Sequence, residues 1–177
     1  NVIVRYLTGD RVFRLEYGEA HVAIRAGSPP DQPDNVVQRF VPQKMGLFAS
    51  EAYTKRHGIP SSASDYATHH FVGHDDELSR APFNKWLREH VPEAKITFRS
   101  TDVRAMEQAV LAGAGIGFLS MWEAAKHEGL TQVCESQEDW SGLLWLVTHV
   151  DLHRTSKVQA VLRFLKEHAE DAVSCPD

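Results

Sequence analysis

The sequence predicts an α/β protein built from two similar lobes, and two observations support this prediction. A strand, helix, strand order occurs at the start of the chain, and the same order recurs after residue 94. Parallel strands need a long crossover connection, usually a helix, so each repeat is typical of a parallel sheet. The composition agrees, because 42% hydrophobic and 24% charged residues in a chain of 177 are typical of a globular protein.

The first repeat lies at the start of the chain. The apolar segment NVIVRYL at residues 1–7 is predicted to be a strand, and RVFRLEY at 11–17 to form about two turns of helix before Gly18. HVAIRAG at 21–27 is predicted to be the second strand. A turn-rich loop, SPPDQPDN at 28–35, then separates this repeat from the middle of the chain.

The middle of the chain is predicted to contain short elements of both kinds. In order, these are strands at VVQRFV and MGLFAS, a short helix at EAYTKRHG that Gly58 closes, a strand at HHFVG (69–73) and a helix at APFNKWLREH.

The second repeat contains three alternate glycines, which raise the question of a phosphate-binding loop. It comprises the strand KITFRS (95–100), a helix from Asp102 to Ala112 and the strand GIGFLS. A dinucleotide-binding loop places its glycines between a strand and the start of a helix, whereas Gly113 follows a helix. The glycines are therefore predicted to end the helix and to begin a buried strand.

A strand and a helix complete the chain. LLWLVTH at 143–149 is predicted to be a strand, and Thr155 and Ser156 are placed to cap the final helix. The helix is amphipathic, with the charged residues Lys157, Arg163 and Lys166 expected to face water. Its predicted apolar stripe comprises Val158, Val161, Leu162 and Leu165.

Three strand ends carry small or polar residues directly before a predicted helix. Ligands of open parallel sheets bind outside the carboxyl ends of the strands, where helix N-termini offer unpaired N–H groups and partial positive charge. A small anion or carboxylate would suit these corners, although the hydroxyl groups could instead serve only to cap their own helices. The three corners are Thr8-Gly9-Asp10, Gly73-His74 and Ser100-Thr101.

The sequence offers little support for catalysis or for a cofactor. His69, His70, His74, Asp75 and Asp76 form a cluster of metal-ligand residue types, but their spacing matches no established zinc pattern. A solvated loop is expected there, with no metal. The sequence also lacks the G-x-S-x-G nucleophile elbow, so no enzyme is predicted.

Charge and cysteine content limit the function classes further. A net charge of −5 without a Lys/Arg-rich stretch argues against tight binding of this chain to nucleic acid. Cys134 and Cys175 lie outside any C-x-x-C pattern, so reduced thiols are expected. No apolar run approaches a membrane span and no segment resembles a signal peptide, so a cytoplasmic location is expected. The chain begins at Asn1 without a methionine, so further residues are expected upstream.

Four segments, taken in order, resemble the effector-binding domain of LysR-type transcriptional regulators. The resemblance covers nearly the whole chain and depends on the order of the four blocks rather than on any one of them. The segments are LEYGEAHVAIRAG, LFASEAYTKRHGIPSSASDYATHHFVG, STDVRAMEQAVLAGAGIGFLSMW and LLWLVTHVDLHRTSKVQAVLRFL.

The resemblance implies two Rossmann-like lobes, similar to those of the type 2 periplasmic binding proteins. Lobe I would comprise residues 1–42 and 144–177 and would lack the first strand and helix of the family, and lobe II would comprise residues 43–143. A small effector would bind between the lobes. DNA would be contacted only through a winged helix-turn-helix domain that this chain lacks, in a homo-oligomer such as a dimer or tetramer.

The resemblance also implies which residues contact the effector, with His74 as a further candidate. The implied contact residues are Thr8, Gly27, Phe71, Gly73, His74, Ser100 and Thr101.

Two other classes of protein remain open, because they share the two-lobed plan. One is the extracytoplasmic solute-binding protein of a transporter, and the other is a small enzyme using His74.

Overall fold

A computed structural model describes residues 2–9 and 11–169 of the chain. Within these residues the chain forms eight β-strands and six α-helices. The strands are β1 Ala23–Ala26, β2 Asn35–Gln43, β3 Met45–Ser50, β4 Phe71–His74, β5 Ile96–Ser100, β6 Gly117–Ser120, β7 Leu130–Gln132 and β8 Gly142–His149. The helices are α1 Glu51–His57, α2 Pro82–His90, α3 Val103–Leu111, α4 Met121–Ala124, α5 Val150–His153 and α6 Ser156–Glu167.

The chain divides into two compact units. The first unit comprises Asn1–Gln43 and Gly142–Asp177, and the second comprises Lys44–Ser141. The backbone therefore passes from one unit to the other twice, before Lys44 and after Ser141. Asn1, Asp10 and Cys175, which enter the sequence predictions, lie outside the described residues.

The sheet of the first unit is antiparallel, so the parallel sheet predicted there is wrong. Its strand order is β1-β8-β2, and β8 runs antiparallel to both neighbours. The strand predicted at residues 1–7 is not formed within residues 2–7, where Ile3 is 96% exposed and Val4 is 70% exposed. A single strand leaves its backbone N–H and C=O groups unpaired, and no described strand pairs with this segment.

The helix predicted at residues 11–17 is reduced to one 3-10 turn at Leu15–Tyr17. Arg14 before this turn is extended, and Gly18 after it adopts the left-handed conformation with φ of 70°. The helical turn therefore begins only at Leu15 and ends before Gly18, and only Leu15 of the turn is buried.

Helix α6 covers the core of the first unit, as its sequence predicts. Val158 and Leu162 are buried against Leu146 of β8, while Val161 and Leu165 are partly buried. Thr155 occupies the N-cap position but makes no side-chain capping bond, because its hydroxyl donates to the carbonyl of Leu152 instead. The predicted apolar stripe is confirmed. The predicted cap is wrong, because Thr155 occupies the N-cap position without a side-chain hydrogen bond to the helix.

The second unit has parallel pairing at its centre. Strands β4 and β5 are parallel, and Phe71 of β4 also forms a parallel bridge with Ile116, just before β6. The bridge is tight, because Val72 N–H donates to Ile116 O at 2.8 Å and Ile116 N–H donates to His70 O at 2.9 Å. Strand β3 pairs antiparallel with β6 and β7 and is buried along its whole length. The strand, helix, strand order predicted here is confirmed as β5, α3 and β6.

Gly113 ends helix α3 in the left-handed conformation, with φ of 77°. Its N–H donates to Val110 O at 3.0 Å, and its carbonyl accepts a hydrogen bond from the Arg56 guanidinium. Gly115 permits close strand contact, because a Cβ there would lie 2.9 Å from His70 O. The alternate glycines therefore end a helix and admit a strand, as predicted.

Aromatic side chains fill the core of the second unit around Trp140. Its indole is 1% exposed, and its ring centroid lies 5.0 Å from that of Trp86 and 4.9 Å from that of Phe118. Cys134 borders this core as a free thiol.

Within the described part of the chain, every helix is too short or too polar to cross a lipid bilayer.

We expect Gly113→Ala to lower the free energy of unfolding of the chain by about 1–3 kcal/mol, the typical cost of a non-glycine residue in the left-handed region. The added Cβ would also lie 3.2 Å from Tyr53 N and 2.8 Å from the Arg56 guanidinium. Urea unfolding followed by circular dichroism measures the change. Gly142→Ala is the control, because no atom lies within 4 Å of a Cβ there. Equal unfolding midpoints for the two variants would contradict this account of the helix end.

Candidate functional site

The parallel pairing of β4 and β5 brings three of the predicted contact residues together at one corner of the second unit. The register places His74 opposite Ser100 and Gly73 opposite Arg99. Asp75 N–H, just beyond β4, donates to Ser100 O at 3.2 Å and extends the pairing by one residue. Because both strands end at the same edge, Gly73, His74 and Ser100 form one corner directly before helix α3.

Helix α3 is capped by its own residues at this corner. Asp102 is the N-cap, and its Oδ1 accepts a hydrogen bond from Arg104 N–H at 2.8 Å. Ser100 Oγ accepts a hydrogen bond from Asp102 N–H at 3.0 Å, which fixes the turn that leads into the helix. Ser100 therefore has a local structural role in the turn before the helix, but it does not cap the helix as considered above. Thr101 is exposed and is not the capping residue.

Side chains pack closely around Gly73 at this corner. A Cβ there would lie 2.7 Å from Ile96 Cγ2 and 2.9 Å from Leu87 Cδ2. Phe71, two residues earlier in β4, is fully buried and packs edge to face against Tyr66 at 5.5 Å. The structure thus places the Phe71 side chain in the core, beneath the corner.

His74 is oriented by the loop that follows β4. Its Nδ1 accepts a hydrogen bond from Asp76 N–H at 3.0 Å, and Asp76 Oδ1 accepts one from Leu78 N–H at 2.8 Å. The imidazole is partly buried, while Asp75 and Asp76 are exposed. This loop holds the His74 ring beside the end of β5, where Ser100 lies.

The cluster of histidines and aspartates seen in the sequence is not one cluster in space. His69 is buried, at 6% exposure, so the solvated loop predicted for it is wrong. Its Nδ1 lies 3.0 Å from the hydroxyl of Tyr53, and the same hydroxyl accepts a hydrogen bond from His70 N–H at 2.9 Å. His69 and Tyr53 therefore belong to the core, whereas His74 belongs to the corner.

The two predicted contact residues of the first unit have different settings. Gly27 follows β1 with φ of 97°, its N–H donates to Leu143 O at 3.2 Å, and its carbonyl accepts from Trp145 Nε1 at 2.7 Å. Thr8 is exposed in a segment without regular structure. The strand-to-helix corner predicted at Thr8 is not formed, because no strand precedes it within residues 2–7 and no helix begins before Leu15.

Sequence reasoning missed a set of side chains that could hold a metal ion. Within residues 2–9 and 11–169, one group of at least three such side chains converges, namely Glu107, Glu123 and His127. The i, i+4 spacing of Glu123 and His127 is the signal that could have indicated two of them, since such residues share one face of a helix. The third comes from helix α3 and could not be paired with them from one sequence.

An α/β domain with polar side chains at the carboxyl ends of parallel strands has the plan of a small-molecule-binding domain. The chain belongs to the LysR substrate binding domain family, whose model matches residues 1–170. These domains have a periplasmic-binding-protein-like fold, so the predicted family and fold class are confirmed.

The chain is similar to a probable HTH-type transcriptional regulator, LtrA, of Klebsiella pneumoniae. The two are 29% identical over 139 residues, which is 72% of this chain and 44% of that protein. The chain therefore spans less than half the length of this curated relative.

Two solved structures show the same fold. The regulatory domain of CrgA, a LysR-type transcriptional regulator from Neisseria meningitidis, has a TM-score of 0.71 at 23% identity, covering 88% of this chain and 78% of that one. The full-length virulence activator AphB of Vibrio cholerae has a TM-score of 0.63 at 18% identity, covering 89% of this chain and 55% of that one.

Burial of His69 makes stability depend on pH. Burial, followed by the nearby charge of His57, lowers the pKa of His69 below its ordinary value of 6.5. The unfolded chain therefore binds more protons in this range than the folded chain. We expect stability to be highest above pH 6.5 and to fall as the pH drops through 6.5 toward the lowered pKa. Urea midpoints measured between pH 8 and pH 5, a window of about one to two units on either side of that value, test this.

Two variants distinguish the contribution of His69 to the pH dependence of stability from that of another histidine. His69→Gln removes the titrating group and should flatten this part of the pH profile, although it also lowers stability at every pH. His90→Gln replaces an exposed histidine at the end of α2 and should keep the wild-type slope. An unchanged slope in His69→Gln would contradict the assignment.

Proposed function

We propose that this chain is the effector-sensing domain of a LysR-type transcriptional regulator, and that its effector is a small anionic metabolite held, as the family resemblance implies, between two lobes. The family match over residues 1–170 supports the sensing role. The curated relative, named as a probable transcriptional regulator, supports the regulatory role. The family match also favours a regulator over the alternative of a transporter's solute-binding protein.

The observation that carries the proposal is the corner formed by Gly73, His74 and Ser100 at the start of helix α3. A helix N-terminus provides N–H donors and partial positive charge, which favour an anion. The carboxylate of Asp102 already accepts from Arg104 N–H there and partly offsets this charge. We therefore expect the remaining donors, the Thr101 hydroxyl and the His74 imidazole, to contribute most of the contacts to the effector.

Two further contact residues are proposed from the family resemblance, Thr8 and Gly27 of the first unit. Gly27 is held in place by its bonds to β8, so it would offer a fixed backbone surface. Phe71 would support the site from beneath rather than touch the effector, because its side chain is fully buried.

Regulation by such a site requires that the effector bind two states of the regulator with different affinity. We propose that these states differ in how a cytoplasmic homo-oligomer presents DNA-binding domains that lie outside this chain. The length of the curated relative supports this proposal, since the chain spans 44% of that protein. The chain's own charge of −5 agrees with DNA contact through another domain.

We expect Thr101→Val in the full-length regulator to raise the effector concentration for half-maximal response about 10-fold. A hydrogen bond to a charged group contributes about 1.5 kcal/mol, and about 1.4 kcal/mol corresponds to a factor of ten. The effector is first sought by thermal-shift measurements of the 177-residue chain with a panel of mono- and dicarboxylates. A reporter gene then measures the response.

Thr131→Val is the matched control, because Thr131 is an exposed threonine on β7. It should leave the half-maximal concentration unchanged. The proposal fails if no carboxylate in the panel raises the melting temperature and Thr101→Val regulates as the wild type does.

A further inference from the structure

Three side chains of types that can bind a metal ion converge in the second unit. Glu107 lies in the middle of α3, Glu123 lies in α4, and His127 follows α4 by three residues. Their ligating atoms all lie within 4.8 Å of one another. Each side chain is mostly buried, with exposures of 20%, 24% and 32% in that order. The three groups are therefore partly buried and do not lie on an open acidic surface.

The distances from His127 Nε2 to the two carboxylates suit a metal ion better than direct hydrogen bonds. His127 Nε2 lies 3.7 Å from Glu107 Oε1 and 3.6 Å from Glu123 Oε1. Both separations are too long for hydrogen bonds. With bonds of about 2.0–2.2 Å to zinc, two ligand atoms of a tetrahedral site lie about 3.4 Å apart. The observed separations thus approach the edges of such a tetrahedron without rearrangement of the helices.

The imidazole nitrogen at the centre of the group has an unmet bonding requirement. His127 Nε2 is inaccessible to solvent and has no hydrogen-bond partner among the described residues. A buried polar atom without a partner is costly, and a native structure usually supplies one. Its contacts with the two carboxylate oxygens are ion pairs only if the imidazole is protonated, and a cation between the three atoms would satisfy the nitrogen of a neutral imidazole.

The surroundings hold Glu123 in the orientation that a ligand needs. Lys126 Nζ donates to Glu123 Oε2 at 2.7 Å, so the other oxygen, Oε1, is the one that faces His127. The Lys126 ammonium in turn lies 3.0 Å from the ring centroid of Trp122. Such outer contacts fix the direction of a ligating carboxylate in metal sites.

We propose that Glu107, Glu123 and His127 bind a divalent transition-metal ion such as Zn²⁺, with a fourth position left for water. An imidazole with two carboxylates suits zinc and its neighbours, whereas Ca²⁺ and Mg²⁺ prefer oxygen ligands alone. The ion would join α3 to α4. This site is independent of the proposed effector corner, because none of its ligands belongs to that corner.

The test uses Co²⁺ as a spectroscopic probe of the 177-residue chain. A four-coordinate site should give visible absorption that saturates at one equivalent and is displaced by Zn²⁺. Glu107→Gln and His127→Gln should each weaken Co²⁺ binding at least 10-fold, since even outer-shell changes at metal sites cost about 10–100-fold. Glu128→Gln, which changes the carboxylate next to His127, should bind as the wild type does.

Circular dichroism of each variant checks that it folds, and Glu107→Gln is the safer of the two because it keeps the size and polarity of a partly buried side chain. The proposal is overturned if the wild type gives no visible absorption with excess Co²⁺. It is also overturned if folded Glu107→Gln and His127→Gln bind Co²⁺ as tightly as the wild type, because the ion would then lie at other residues. Neither result depends on effector binding or on regulation.

Discussion

The parallel pairing of β4 with β5 is the constraint on which the candidate site depends. It brings two segments separated by more than twenty residues to one edge, with His74 opposite Ser100. The packing next to this pair is close, because Gly73 leaves room for Ile96 and Leu87. A Cβ at position 73 would force these two side chains to move.

Helix α3 links the corner, the core and the carboxylate group. Its first residues lie at the corner, where Asp102 caps it, and its middle carries Glu107. Its end is fixed by Gly113, whose carbonyl accepts from Arg56 of α1. A helix held at both ends presents its side chains in a defined register.

The first unit shows how far a strand depends on its neighbours. Residues 2–7 have the apolar composition of a strand, yet they remain without regular structure because no described strand pairs with them. In contrast, β8 pairs on both sides and is formed over eight residues. Strand propensity mainly reflects packing on a pleated surface, so a segment without a neighbouring strand to pack against does not form a strand.

The sequence by itself determined the family, the α/β class and most local elements, because these depend on short-range patterns. Periodicity predicted α6, and the order of helix and glycine placed the end of α3 at Gly113. Only the tertiary structure decided which strands pair and which distant side chains contact each other. It made the first sheet antiparallel, buried His69 against Tyr53, and brought Glu107 to His127. Contacts between residues distant in the chain depend on strand pairing and helix packing, which a single sequence does not specify.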